Sequence, residues 1–177
     1  MARVWRRRMR RGVMWSVVLI LLSGMTIGVQ GSGPDIPRVR STTPAIASLL
    51  AEAESRSATF RDLIRTIEAT DGIVYIEPGE CRHGVRACLS LSIVPTGGYR
   101  FLRILVDGAQ EIVQLMATIG HELRHAIELL SEPAVKTTAA AYNYYLREAP
   151  TARDVFETMA AIQTGITVAN ELTRSHR

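Results

Sequence analysis

Apolar residues recur at helical spacing through AIASLLAEAESRSATFRDLIRTIEAT, at Ile46, Leu49, Leu50, Ala53, Phe60, Leu63, Ile64 and Ile67. Thr43-Pro44 marks the start of this helix and Asp71-Gly72 its stop, with Ser55 to Ser57 as the place for a break. From Gly72 the period falls to two. The β-branched and aromatic runs GIVYIEP, VRACLSLSIVP and YRFLRILVD are punctuated by Pro78-Gly79, His83-Gly84 and Pro95-Thr96-Gly97-Gly98, and predict three antiparallel strands. In the third run Tyr99, Phe101 and Arg103 lie on one side and Arg100, Leu102 and Ile104 on the other; Tyr99 to Val106 is the expected edge strand. The helical period resumes in AQEIVQLMATIGHELRHAIELLSE, through Ile112, Leu115, Met116, Ile119, Leu123, Ile127 and Leu130. Pro133 is expected to open another helix, AVKTTAAAYNYYLREA, stopped by Pro150, and a last helix is expected over roughly 151–174. The order of elements predicts an α+β domain over residues 44–177, a small three-stranded antiparallel sheet packed with about four helices.

A chain of 177 residues suffices for one domain. Such a domain buries a core without metal or disulfide staples, so any metal site has to be justified by function. Residues 1–31 stand apart from it. Arg3, Arg6, Arg7, Arg8, Arg10 and Arg11 precede the apolar run GVMWSVVLILLSGMTIGV, which is followed by QGSGPDIP. That is the plan of a secretory signal peptide, with Val29 and Gly31 forming a small-residue cleavage site before Ser32. The alternative is an uncleaved inner-membrane anchor formed by residues 12–29, since about eighteen apolar residues reach the lower limit for a span. Either way the domain is expected on the outside, periplasmic or extracellular, joined through a flexible linker at 32–43.

Export changes the reading of the charge. The formal +4 is concentrated in the leader: after residue 31, fifteen Lys and Arg face seventeen Asp and Glu, which leaves −2. This gives no support for nucleic-acid binding, which wants a basic patch on the domain itself. Cys81 and Cys88 are the only cysteines, and an even count in an exported chain favours a disulfide stapling the RHGVRA turn. A metal site begun by Cys81 and His83 lacks further Cys or His at ligand spacing.

The chemistry concentrates in GHELRHAIE, Gly120 to Glu128. On a helix His121 and His125 differ by about 40° in azimuth and about 6 Å along the axis, so both imidazoles can converge on one ion. Two His nitrogens suit a tetrahedral Zn²⁺ with a water position left open. Glu122 can reach that water and act as general base. Glu128, three residues after His125, can accept the free ring N–H of a ligand His or pair with Arg124.

Gly120 to Ala126, GHELRHA, resembles the active-site helix of zincin metallopeptidases. The resemblance covers this motif and the order of elements around it. It implies His121 and His125 as zinc ligands, Glu122 as general base and a zincin-like fold with the motif on a central helix. The metzincin pattern, with a Gly and a third His shortly after the second ligand, is absent from AIELLSEP. The gluzincin pattern takes a Glu from a later helix instead. Glu157, in FETMAA beside Ala160 and Ala161, is the favoured match, with Glu148 and Glu132 as alternatives. Some gluzincins carry an Asp four residues after the ligand Glu to orient a His; here that position is Ala161, and Glu128 is the candidate replacement.

A peptidase also needs a donor for the oxyanion, and Tyr142, Tyr144 and Tyr145 are the candidates. The expectation is an exported, zinc-dependent metallopeptidase-like hydrolase acting on peptides or proteins of the cell envelope, touching the membrane only through its N-terminus. The alternative is a non-catalytic envelope protein with a structural metal or none.

Overall fold

The helical spacing of residues 44–68 resolves into two helices, α1 (Pro44–Arg56) and α2 (Ala58–Glu68), separated by Ser57 in an extended conformation. The computed structural model describes residues 36–81, 84–149 and 156–174; the leader reading and the roles given to His83 and Pro150 lie outside these. Ser57 is fully buried, and its hydroxyl oxygen accepts from the Phe60 N–H at 3.0 Å, an N-cap for α2. The same hydroxyl donates to Glu171, which also accepts from the Thr59 N–H at 3.0 Å. An acid at a helix N-terminus complements the unpaired N–H groups there. Glu171 belongs to α5 (Met159–Arg174), so this cap also fixes the last helix against the second.

The sheet has four strands and mixed direction, which corrects the three-stranded antiparallel expectation. In the order β1-β2-β4-β3 it joins β1 (Val39–Arg40), β2 (Gly72–Pro78), β4 (Tyr99–Val106) and β3 (Ala87–Thr96). β1 and β4 both pair in parallel with β2, while β3 and β4 form an antiparallel hairpin. Gly97 and Gly98, at φ 57° and 83°, make its two-residue turn, the backbone a tight hairpin requires. β4 is therefore central, not an edge, and Leu102, Ile104 and Val106 are at most 1 % exposed. Alternation identifies a strand but is blind to its neighbours. The edge strands are the short β1 and the longer β3, which has a bulge between Ser90 and Val94. β1 falls within the stretch read as linker; two residues are too few to show a period. The Cys81–Cys88 disulfide is present and closes the connection from β2 to β3.

The motif helix, α3 (Ile112–Leu130), is the centre of the packing. It lies against β3 and β4 and against α1, α2 and α5. Its C-terminus is set by Arg100, which projects from the core face of β4 and is 3 % exposed. The guanidinium pairs with Asp71 and donates to the carbonyls of Leu129, Leu130, Glu132 and Val135 at 2.7–3.0 Å. Hydrogen bonding by Arg100 holds the Asp71 carboxyl below its ordinary pKa. Because residues 132–135 wrap this cation, the following helix starts later than Pro133 suggests: α4 spans Thr138–Glu148, with Thr137 capping Ala140. Removing a buried, fully paired cation leaves its partners unsatisfied. Arg100→Leu is expected to lower unfolding free energy by about 3–5 kcal/mol in urea titration; a loss below about 1 kcal/mol would show that these carbonyls find other donors.

Candidate metal centre

Helix α3 carries His121, Glu122, His125 and Glu128, and the segment just before α5 brings Glu157 to them. Nε2 of His121 stands 3.1 Å from Glu157 Oε2, and Nε2 of His125 stands 3.9 Å from the same oxygen. One ligand atom from each of the three residues lies within 4.8 Å of the others. Donors about 2.0–2.1 Å from a tetrahedral ion are separated by about 3.3 Å, so the group is close to that size and slightly open on one side. His125 Nε2 and Glu157 Oε2 are buried and make no aligned hydrogen bond. Buried polar atoms without partners are costly, and a shared cation is the partner this arrangement lacks. The residues therefore fit a metal ion. Glu132 and Glu148 are exposed and outside the group.

Glu157 is not in a helix, as the reading of residues 151–174 had it. It lies in the non-helical stretch 156–158, and α5 begins only at Met159. Thr158 is the reason: its Oγ1 accepts from the Ala161 N–H at 3.1 Å and its carbonyl from the Ile162 N–H, the geometry of an N-cap. The close approach of α5 to α3 also depends on two glycines; of the two alanines expected there, Ala161 is buried and Ala160 is exposed. A Cβ at Gly120 would lie 3.0 Å from Val168, and one at Gly165 would lie 3.3 Å from the Cβ of His121.

His125 is the most constrained residue of the group, with a side chain 5 % exposed. Its Nδ1–H donates to Glu128 Oε2 at 2.9 Å, which leaves Nε2 facing His121 and Glu157. The other Glu128 oxygen accepts the Thr158 hydroxyl at 2.7 Å and lies 3.6 Å from Arg124 Nε, so Glu128 stands beside both His125 and Arg124. Burial alone would lower the His125 pKa, but Glu128 and Glu157 beside it outweigh burial and raise it to about 9. For Glu157 burial raises the pKa, and the two imidazoles overcome this and bring it down to about 2.

Glu122 is 6 % exposed and accepts the Leu89 N–H of β3 at 2.7 Å through Oε2. Burial raises its pKa. It lies where two clefts meet. The larger, about 650 Å³, runs between β3 and α4 and reaches Thr138, Tyr142 and Phe156. The smaller, about 390 Å³, lies along α5 and includes His121, Gly165 and Ile166; both are lined by Glu122 and Glu157. Of the three tyrosines only Tyr142 is an exposed residue of the larger cleft. Tyr145 also borders the larger cleft, but it is buried and its hydroxyl donates to the His125 carbonyl at 3.0 Å, so that hydroxyl is committed to α3. Tyr144 packs its ring edge on Tyr145 and lines neither cleft.

Three residues of the centre escaped the sequence. Leu89 contributes a backbone N–H, which no side-chain pattern reveals. Phe156 stacks on the Tyr145 ring with centroids 5.4 Å apart. Thr158, followed three residues later by the start of an apolar helical period, was legible as a helix cap, but Pro150-Thr151 offered an earlier start. No protein-family model, curated protein or solved structure matches this chain.

The raised His125 pKa has a definite sign. In the metal-free protein its contribution to stability is complete below about 6.5, the unfolded value, and is lost as pH rises through about 9. With chelator present, the His125 ring resonances are expected to titrate near pH 9, and Glu128→Gln to bring the midpoint down; a wild-type midpoint near 6.5 would contradict the pairing.

Proposed function

We propose that this chain is an exported, zinc-dependent hydrolase of the metallopeptidase type, with the gluzincin-like ligand set His121, His125 and Glu157. The observation that carries the proposal is the position of Glu122. A buried carboxylate held by one backbone N–H sits next to two imidazoles and an acid that fit a metal, without being in the ligand group itself. Two His and one carboxylate are a donor set that zinc accepts while keeping a position open. Zinc bound there would polarise a carbonyl and lower the pKa of water to about 7.

The remaining steps belong to the protein. The Leu89 N–H holds one oxygen of Glu122, so the other is free to take the proton of the attacking water and return it to the leaving nitrogen. Burial raises the Glu122 pKa toward the range in which a carboxyl both accepts and gives up a proton. The Tyr142 hydroxyl is the donor for the oxyanion. An extended peptide pairs with the β3 edge, at the Leu89 carbonyl and the amide groups of Ala87, which face away from β4. The substrate is thus a peptide or protein segment of the cell envelope. Export is supported by the leader pattern of residues 1–31 and agrees with the disulfide.

A structural clamp would not need Glu122, since burying a carboxylate costs free energy and a clamp gains nothing from a general base. Purified protein is expected to carry about one zinc per chain, and His121→Ala to lose it. Glu122→Gln should keep the zinc and lower peptide hydrolysis by at least about 10²-fold. Equal cleavage by wild type and Glu122→Gln would remove the mechanism; zinc retained with no cleavage of a peptide library by wild type would favour the clamp.

A further inference from the structure

The third ligand arrives on a short segment whose two neighbours are both fastened to partners of His125. On one side of Glu157, Phe156 stacks on the ring of Tyr145, at 5.4 Å and an interplanar angle of 16°. Tyr145 in turn donates its hydroxyl to the His125 carbonyl and sets its ring edge against the His125 imidazole at 5.6 Å. On the other side, Thr158 donates to Glu128 Oε1 while Glu128 Oε2 accepts from the His125 ring. Thr158 Oγ1 simultaneously caps α5 through the Ala161 N–H. A continuous line of hydrogen bonds therefore runs from the His125 imidazole through Glu128 and Thr158 to the backbone of the last helix.

We propose that Thr158 is a positioning residue that sets the metal affinity of the centre: its hydroxyl latches the Glu157 segment to Glu128 and so couples the third ligand to the orientation of the second. The proposal rests on the metal reading of the preceding subsection. The coupling follows from where the ligands come from. His121 and His125 keep their spacing through helix geometry alone, whereas Glu157 lies outside helical structure and depends on the fastening of its neighbours for its backbone position. Thr158 is better placed for this than a cap alone requires, because its donor and acceptor functions are used in two directions: the O–H toward Glu128 and the lone pair toward Ala161. Losing an outer hydrogen bond of this kind typically costs 10- to 100-fold in metal affinity.

The test measures zinc affinity of the full chain by chelator competition, with the thermal midpoint of the metal-free protein recorded alongside. Thr158→Val is expected to weaken zinc binding by about 10- to 100-fold, and Thr158→Ser to restore wild-type affinity. Thr158→Gly separates latch from cap, because glycine is an acceptable N-cap but has no hydroxyl to donate; it should weaken binding as valine does. In a Glu128→Ala background, Thr158→Val should have no further effect on zinc affinity, since the latch has already lost its acceptor. Wild-type affinity in both Thr158→Val and Thr158→Gly would overturn the proposal, as would an undiminished effect of Thr158→Val in the Glu128→Ala background. Failure of wild type itself to bind zinc is a different result: it removes the metal reading along with the latch.

Discussion

The hydrogen bond between the His125 ring and Glu128 is the contact on which the centre depends. Both side chains are buried, so each charge has to be satisfied within the protein. Glu128 does this by dividing its oxygens between the imidazole and the hydroxyl of Thr158, with Arg124 at 3.6 Å. One carboxylate thereby chooses the tautomer of His125, aims Nε2 at the cluster and marks where the last helix begins. Without it, the ring could turn and Glu157 would lose one of the two fastenings beside it.

The rest of the fold holds α3 in the place where this bond can form. Arg100 donates to the Leu129 and Leu130 carbonyls at the C-terminus of the helix, where a cation also complements the helix dipole. On the outer side, Gly120 and Gly165 let α5 come close, and Glu171 at the far end of α5 caps α2. On the sheet side, the edge strand β3 supplies the Leu89 N–H to Glu122. The same edge strand forms a wall of the larger cleft and touches the smaller at Ala87, so the element that holds Glu122 also borders both clefts.

What could be read from the sequence follows the range over which each feature is determined. His121, His125 and Glu128 were legible together because one helical period fixes their relation. The break at Ser57 and the disulfide were legible for the same reason, being local. Glu157 could only be chosen among several acids, since its approach depends on how α5 packs, and its helix was begun too early. The sheet order was out of reach: period-two alternation says that Tyr99 to Val106 is a strand, not that it separates β2 from β3. Arg100 sat in plain view between Leu102 and the hairpin glycines, but a charge on a core face becomes intelligible only once Asp71 and the four carbonyls surround it. Tyr145 looked like a substrate-facing donor until its hydroxyl proved to be bound to His125.

In the proposed centre His121, His125 and Glu157 together hold one zinc ion. X-ray absorption at the zinc edge of the loaded protein tests it most directly. About four nitrogen and oxygen ligands at about 2.0–2.1 Å are expected, with the outer-shell scattering of two imidazoles, and loss of one oxygen donor or a changed shell in Glu157→Ala. A six-coordinate oxygen shell, or a spectrum without two imidazoles, would contradict it.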